Sequence, residues 1–222
     1  MPLRKFGKEF FSVNRLTERF FESPVELFSQ SEVAVAMPGS DFSRHGLIKR
    51  AMSKGEIIPI RRGLYCLAPR NRKKSLSIYT VSQRIYGPSY VSMETALSFH
   101  GWIPEAVYSC TCASFGPARD FDTPLGVFNY RRVPQNVFYA DVERHADADG
   151  NVFLMASPIK ALADYIYIKR LNWNIEDASA SLRIEPDQLA TVTAEQITAL
   201  IENYSNLRIK RFLISWKEKL SQ

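Results

Sequence analysis

The chain has 222 residues, 45% hydrophobic and 23% charged, ordinary for a globular protein with room for one large domain or two modest ones. No apolar run approaches the roughly 18 residues of a membrane helix, and MPLRKFGKEFF at the N-terminus lacks a signal-peptide core. A cytoplasmic protein without a membrane partner is expected. The net charge of +6 is unevenly spread: residues 1–74 carry 15 Lys or Arg against 7 Asp or Glu, and residues 75–222 carry 14 against 16. Such asymmetry predicts a basic module on a neutral or acidic one, and nucleic acid is the commonest partner of a basic module.

The aromatic and charged segment 5–22 has roughly helical spacing. Ser23-Pro24-Val25-Glu26 reads as a helix start, with a capping Ser, Pro at the first helical position and Glu three residues after the cap. A helix PVELFSQ is expected to follow. Val33 to Ala36 then reads as a short strand closed by Pro38-Gly39. Ser40 or Asp41 can cap a helix from about Phe42 to Lys54 that stops at Gly55. Leu47, Ile48, Ala51 and Met52 form its apolar face, which leaves Ser43, His45, Gly46, Lys49, Arg50 and Ser53 outward. Ile57 to Ile60 and Leu64 to Leu67 are two strand-like runs joined by Arg61-Arg62-Gly63, a hairpin with a basic tip.

Strand, helix and basic hairpin, with a helix before them, are the core of a winged helix-turn-helix. A helix in the major groove must show polar groups opposite its core stripe, and Arg or Lys can read guanine edges there. The candidate DNA-contacting residues are therefore Ser43, Arg44, His45, Lys49, Arg50 and Lys54 on the helix and Arg61 and Arg62 on the wing. Arg70, Arg72, Lys73 and Lys74 extend the set into a polar linker suited to tracking phosphates. A solvated charged helix face is the competing reading, and two basic elements at the spacing of one module weigh against it.

Residues 75–222 read as a second, mixed α/β domain, so the fold class expected is α+β. Leu76–Tyr86 is helical in pattern, Tyr90-Val91 extended, and Ser92 can cap a helix METALSFH. Strands are expected over 107–113, 125–133, 137–142 and 152–156. Ser157-Pro158 opens another helix; further helices are expected near 176–183 and 194–202, and from about Ser205 to Lys219. The last is basic, with Arg208, Lys210, Arg211, Lys217 and Lys219, and reads as a solvated helix covering the core or as a surface acting on a partner.

No cofactor and no metal site is expected. Cys66, Cys110 and Cys112 contain no C-x-x-C, and His45, His100 and His145 are scattered along the chain. Asp147, Asp149, Gly150 and Asn151 resemble the start of a calcium loop, but the Gly comes early and no Glu closes it, so a hairpin turn is expected. Asp120 and Asp122 are the best candidates for metal-dependent nuclease chemistry, and a solvated loop is the favoured reading for them. There is no G-x-S-x-G, phosphate-cradling Gly-rich loop or H-E-x-x-H. An enzyme is not expected. The alternatives are a DNA-binding nuclease, a winged helix used only for protein contact, and a general regulator.

Three phrases resemble the AbiEi family of antitoxins, from type IV toxin–antitoxin (abortive infection) systems. GEIIPIRRGLYCLAP is similar to the family's wing, PSYVSMETALSFHGWIPE to its next characteristic stretch, and FLMASPIKALADYIYIKRL to a later helix bearing Ser-Pro, Lys-Ala and Asp. The phrases lie in order over roughly residues 20–171. The resemblance implies a winged-helix repressor of its own promoter whose second domain counteracts a nucleotidyltransferase-like toxin without a stable complex. It maps the wing onto Arg61, Arg62, Gly63 and Tyr65, with Tyr65 packing beneath the wing, and it transfers no catalytic residue. Residues 1–20 do not align with the family pattern, and the last 50 match it poorly.

Overall fold

The computed structural model describes residues 15–22 and 26–220. They form an α+β protein of two compact units that part between Ser75 and Leu76. In the first unit the order is α1 (Arg15–Glu22), β1 (Leu27–Ser29), α2 (Gln30–Ala36), α3 (Asp41–Ser53), β2 (Ile57–Arg61) and β3 (Leu64–Leu67). Its antiparallel sheet runs β1-β3-β2.

The helix expected over PVELFSQ and the strand expected at Val33 to Ala36 are exchanged. Leu27 to Ser29 is extended and pairs with Leu64 to Cys66, whereas residues 30–36 are helical. The S-x-x-E signature occurs twice, six residues apart, and the second copy closes the cap. The Ser29 hydroxyl accepts from the Glu32 N–H at 3.2 Å, and Glu32 Oε2 accepts from the Ser29 N–H at 2.6 Å. Ser23, Pro24 and Val25, in the first copy, lie outside the described residues, as does the predicted helix before Arg15. Alternating Val33 and Val35 imitate a strand, but only Val33 is buried and Val35 is 91% exposed. Ser29→Ala is expected to cost about 1 kcal/mol of stability, read as a lower urea midpoint at unchanged slope; an unchanged midpoint would show that the cap adds nothing.

Helix α3 forms as its sequence predicts. The Ser40 hydroxyl accepts from the Ser43 N–H at 3.3 Å, and Gly55, at φ +63°, ends the helix in the left-handed region that glycine tolerates. Ile48 and Ala51 are buried with Leu16, Phe20, Phe28, Val33 and Ile57, while Leu47, Met52 and Tyr65 pack against this core half-buried. Phe20 and Phe28 stack at a centroid distance of 3.9 Å. Glu56, buried beneath, accepts from the Thr17 hydroxyl at 2.7 Å.

The second unit contains α4 (Ile78–Ile85), β4 (Ser89–Val91), α5 (Met93–Phe99), β5 (Ser109–Ser114), β6 (Arg119–Thr123), β7 (Gly126–Arg132), β8 (Val142–Ala146), β9 (Val152–Ala156) and α6 (Pro158–Ile168). Four more helices follow: α7 (Ile175–Leu182), α8 (Pro186–Leu189), α9 (Ala194–Asn203) and α10 (Leu207–Leu220). The mixed sheet runs β6-β7-β5-β4-β9-β8. The Cys110 and Cys112 side chains share one buried face of β5, their sulfurs 3.9 Å apart, and burial pushes the Cys112 thiol well up. These are inert core residues.

Three further expectations are corrected. The strand over 137–142 is absent; that segment is held instead by the Asn203 amide, which accepts from the Val137 N–H at 2.7 Å and donates to the Val137 carbonyl at 3.2 Å. The loop expected around Asp120 and Asp122 is strand β6, an edge strand whose charges suit a position with one unpaired side. Ser92 precedes α5 without a side-chain cap; its hydroxyl donates to Asp164 Oδ2 at 2.7 Å. Asp147 does build the hairpin turn between β8 and β9, accepting from the N–H groups of Asp149 and Asn151. Among the described residues no helix is long and apolar enough to cross a membrane.

Candidate nucleic-acid interface

The outward face of α3 carries Phe42, Ser43, His45, Lys49, Arg50 and Ser53, all exposed. At the tip of the β2–β3 hairpin, Arg61 ends β2 and Arg62 stands in the turn, both exposed, followed by Gly63 at φ +75°. Among the described residues, none of Lys49, Arg50, Arg61 and Arg62 is paired with a carboxylate. Four uncompensated cations on two neighbouring elements make a local positive potential.

Gln30 ties these elements together. Its N–H donates to the Gly63 carbonyl at 2.9 Å, and its side-chain Nε2 lies 3.2 Å from Nε2 of His45. His45 Nδ1 lies 3.0 Å from the Asp41 carbonyl, which can only accept. The proton is therefore on Nδ1, and Nε2 accepts from Gln30. One residue at the start of α2 thus holds both the hairpin turn and the outward face of α3.

The other predicted residues are more committed to the protein itself. Arg44 donates to the Gly39 carbonyl and to Asp41 Oδ1 at 2.5 Å, closing the turn between α2 and α3. Lys54 lies 3.9 Å from Glu56 Oε1. Arg70 donates to the Lys54 carbonyl at 2.7 Å and the Gly55 carbonyl at 3.1 Å, satisfying the C-terminus of α3. Arg72 donates to the Leu67 carbonyl at 2.5 Å and lies against the Cys66 sulfur at 3.1 Å. The backbone N–H groups of Lys73 and Lys74 donate to Glu26 Oε1 at 2.7 and 2.8 Å, and the Lys73 ammonium lies 4.9 Å from the Phe21 ring centre. The linker is pinned to the first unit, with Lys73 and Lys74 exposed.

Sequence reasoning missed Phe42, 90% exposed at the start of α3. Its spacing with His45 and Lys49 places the three on one helical stripe, and that spacing is the signal that could have found it. A Cβ at Gly46 would meet only the tip of the exposed Arg50 side chain, at 3.3 Å, which can shift to make room.

In the second unit, Asp120 accepts from Arg131 at 2.6 Å and Asn129 at 2.8 Å, and these bonds hold its carboxyl below the usual range. It is an ion-paired strand residue. Arg131, Arg132, Arg170 and Arg208 line an open cleft of about 500 Å³, a basic surface on a unit whose overall charge balance is negative. No protein-family model matches the chain. No curated protein matches it significantly.

Proposed function

We propose that the first unit is a winged helix-turn-helix that binds duplex DNA, with α3 in the major groove and the β2–β3 turn as its wing. The observation carrying this reading is the Gln30 junction, which ties the turn after Arg61 and Arg62 to the helix that carries Lys49 and Arg50, none of the four being ion-paired among the described residues. The element order and the β1-β3-β2 sheet support it. Phosphates would position the wing while α3 supplies base contacts. Tyr65, half-buried against Phe28, supports the hairpin from below.

The resemblance to AbiEi antitoxins extends the proposal to self-repression in the cytoplasm and to antagonism of a nucleotidyltransferase-like toxin. Retardation of the chain's own promoter fragment, compared with random duplex across a salt series, tests DNA binding. No binding to either DNA at low salt would leave a module for protein contact. Growth rescue on co-expression with the neighbouring toxin candidate tests the antitoxin role separately.

Lys49→Ala or Arg50→Ala is expected to narrow the gap between promoter and random DNA by about 1–3 kcal/mol for each base-edge interaction removed. An equal weakening on both DNAs would reassign these residues to phosphate contacts.

A further inference from the structure

His100 and His145, far apart in sequence, meet at one edge of the second unit's sheet. Glu143 and His145 are two apart on β8, the outermost strand, so they share a face, and His100 follows the last turn of α5. One donor atom from each of the three lies within 4.8 Å of the others. His145 Nε2 and Glu143 Oε2 are 3.0 Å apart. Two ligands about 2.0–2.1 Å from one tetrahedral ion stand about 3.3 Å apart, so this spacing is close to that of a shared ion.

The surroundings fix both rings. His100 Nε2 lies 2.9 Å from the Ala156 carbonyl, so that nitrogen carries the proton and Nδ1 keeps its lone pair. A backbone carbonyl holding the far nitrogen is the usual support of a metal-bound imidazole. Phe99 contacts the His100 ring edge-on at 5.3 Å and the His145 ring at 5.2 Å, while Phe153 stacks on His145 at 15°. Two aromatic rings thus hold the two imidazoles, while the Glu143 side chain is half exposed and leaves the cluster open to solvent.

We propose that His100, Glu143 and His145 bind one divalent transition ion of the zinc class, with further coordination positions open to water or an outside ligand. Two imidazoles and one carboxylate match the hardness of such an ion and are poor ligands for calcium or magnesium. In the ion-free protein His145 Nε2 donates its proton to Glu143; where the ion takes Nε2, the neutral ring carries its one proton on Nδ1 instead, and no net proton is lost. The proposal is independent of DNA binding.

The test is calorimetric titration of Zn²⁺ into the metal-stripped full chain, with Co²⁺ absorption as a second reading. One equivalent per chain is expected, with tetrahedral-type Co²⁺ bands. His100→Ala with His145→Ala should abolish both signals. Should that variant misfold, exposed Glu143→Gln decides: circular dichroism unchanged, and affinity lowered by about 10-fold or more. No saturable binding, or equal binding by Glu143→Gln, would mean an adventitious ion only and overturn the proposal.

Discussion

Arg61→Ala combined with Arg62→Ala is expected to weaken binding to duplex DNA on the order of a hundredfold, taking about 1.5 kcal/mol for each charge-assisted hydrogen bond to phosphate that is removed. The weakening should be similar on promoter and random DNA, because a wing at the backbone reads phosphate and not sequence. It should also change the salt dependence. Each phosphate neutralised contributes about 0.9 to the slope of log affinity against log salt, so the double variant should be shallower by about 1.8. Both side chains are exposed, and Gly63, which makes the turn, is untouched, so circular dichroism and the urea midpoint should not move. Replacing both by lysine keeps the charges and should retain most of the slope. Unchanged affinity and slope in the alanine variant would remove the hairpin from the interface and leave α3 without a wing.

The parts of this fold that could be read from sequence are those dictated by local chemistry. Ser40, the 47–48–51–52 stripe and Gly55 each specify their piece of α3, and Arg61-Arg62-Gly63 specifies a turn whichever strands flank it. The exchange of strand and helix around Ser29 marks where local signals run out. Two capping signatures compete, and what decides is the pairing of Leu27 and Phe28 with a strand almost forty residues on. That is tertiary information, as is the strand identity of the charged segment 119–123, which depends on lying at a sheet edge. The same limit applies to the sites. The charges of α3 and the hairpin are visible in sequence, but their attachment to each other through Gln30 is not. The commitments of Arg44, Arg70 and Arg72 to nearby carbonyls cannot be read from a count of basic residues. Histidines scattered in sequence converge with Glu143 only because α5 ends beside β8.

The phrase with Ser-Pro, Lys-Ala and Asp on one helix acquires a physical meaning that leads to the largest stability effect expected. Lys160 and Asp164, one turn apart on α6, are both completely buried. Asp164 accepts from the hydroxyls of Tyr204 at 2.6 Å, Ser92 at 2.7 Å and Tyr90 at 3.1 Å. The Lys160 ammonium donates to Gln135 Oε1 at 2.6 Å and lies 5.0 Å from the Tyr204 ring centre. Burial lowers the Lys160 pKa, Asp164 and Asp141 oppose that shift, and burial raises the Tyr90 and Tyr204 phenols well above their ordinary range. The network joins α6 to β4 and to the segment between α9 and α10, and because Lys160 and Asp164 are fully enclosed it serves the fold and not a substrate. Asp164→Ala removes the carboxylate that does most to support the buried ammonium and leaves three hydroxyls without that acceptor. Leaving a buried donor without its acceptor costs about 1–3 kcal/mol, and three such donors together take a large share of the roughly 5–15 kcal/mol that holds a domain together. Lys160→Met removes the stranded cation while keeping an unbranched apolar chain. The Asp164→Ala, Lys160→Met double variant should therefore be more stable than the sum of the single effects predicts, with a coupling of about 0.5–3 kcal/mol. Urea unfolding of the four proteins measures that coupling. Additive effects would show that Lys160 and Asp164 do not depend on each other, and that the hydroxyl bonds alone account for the burial of Asp164.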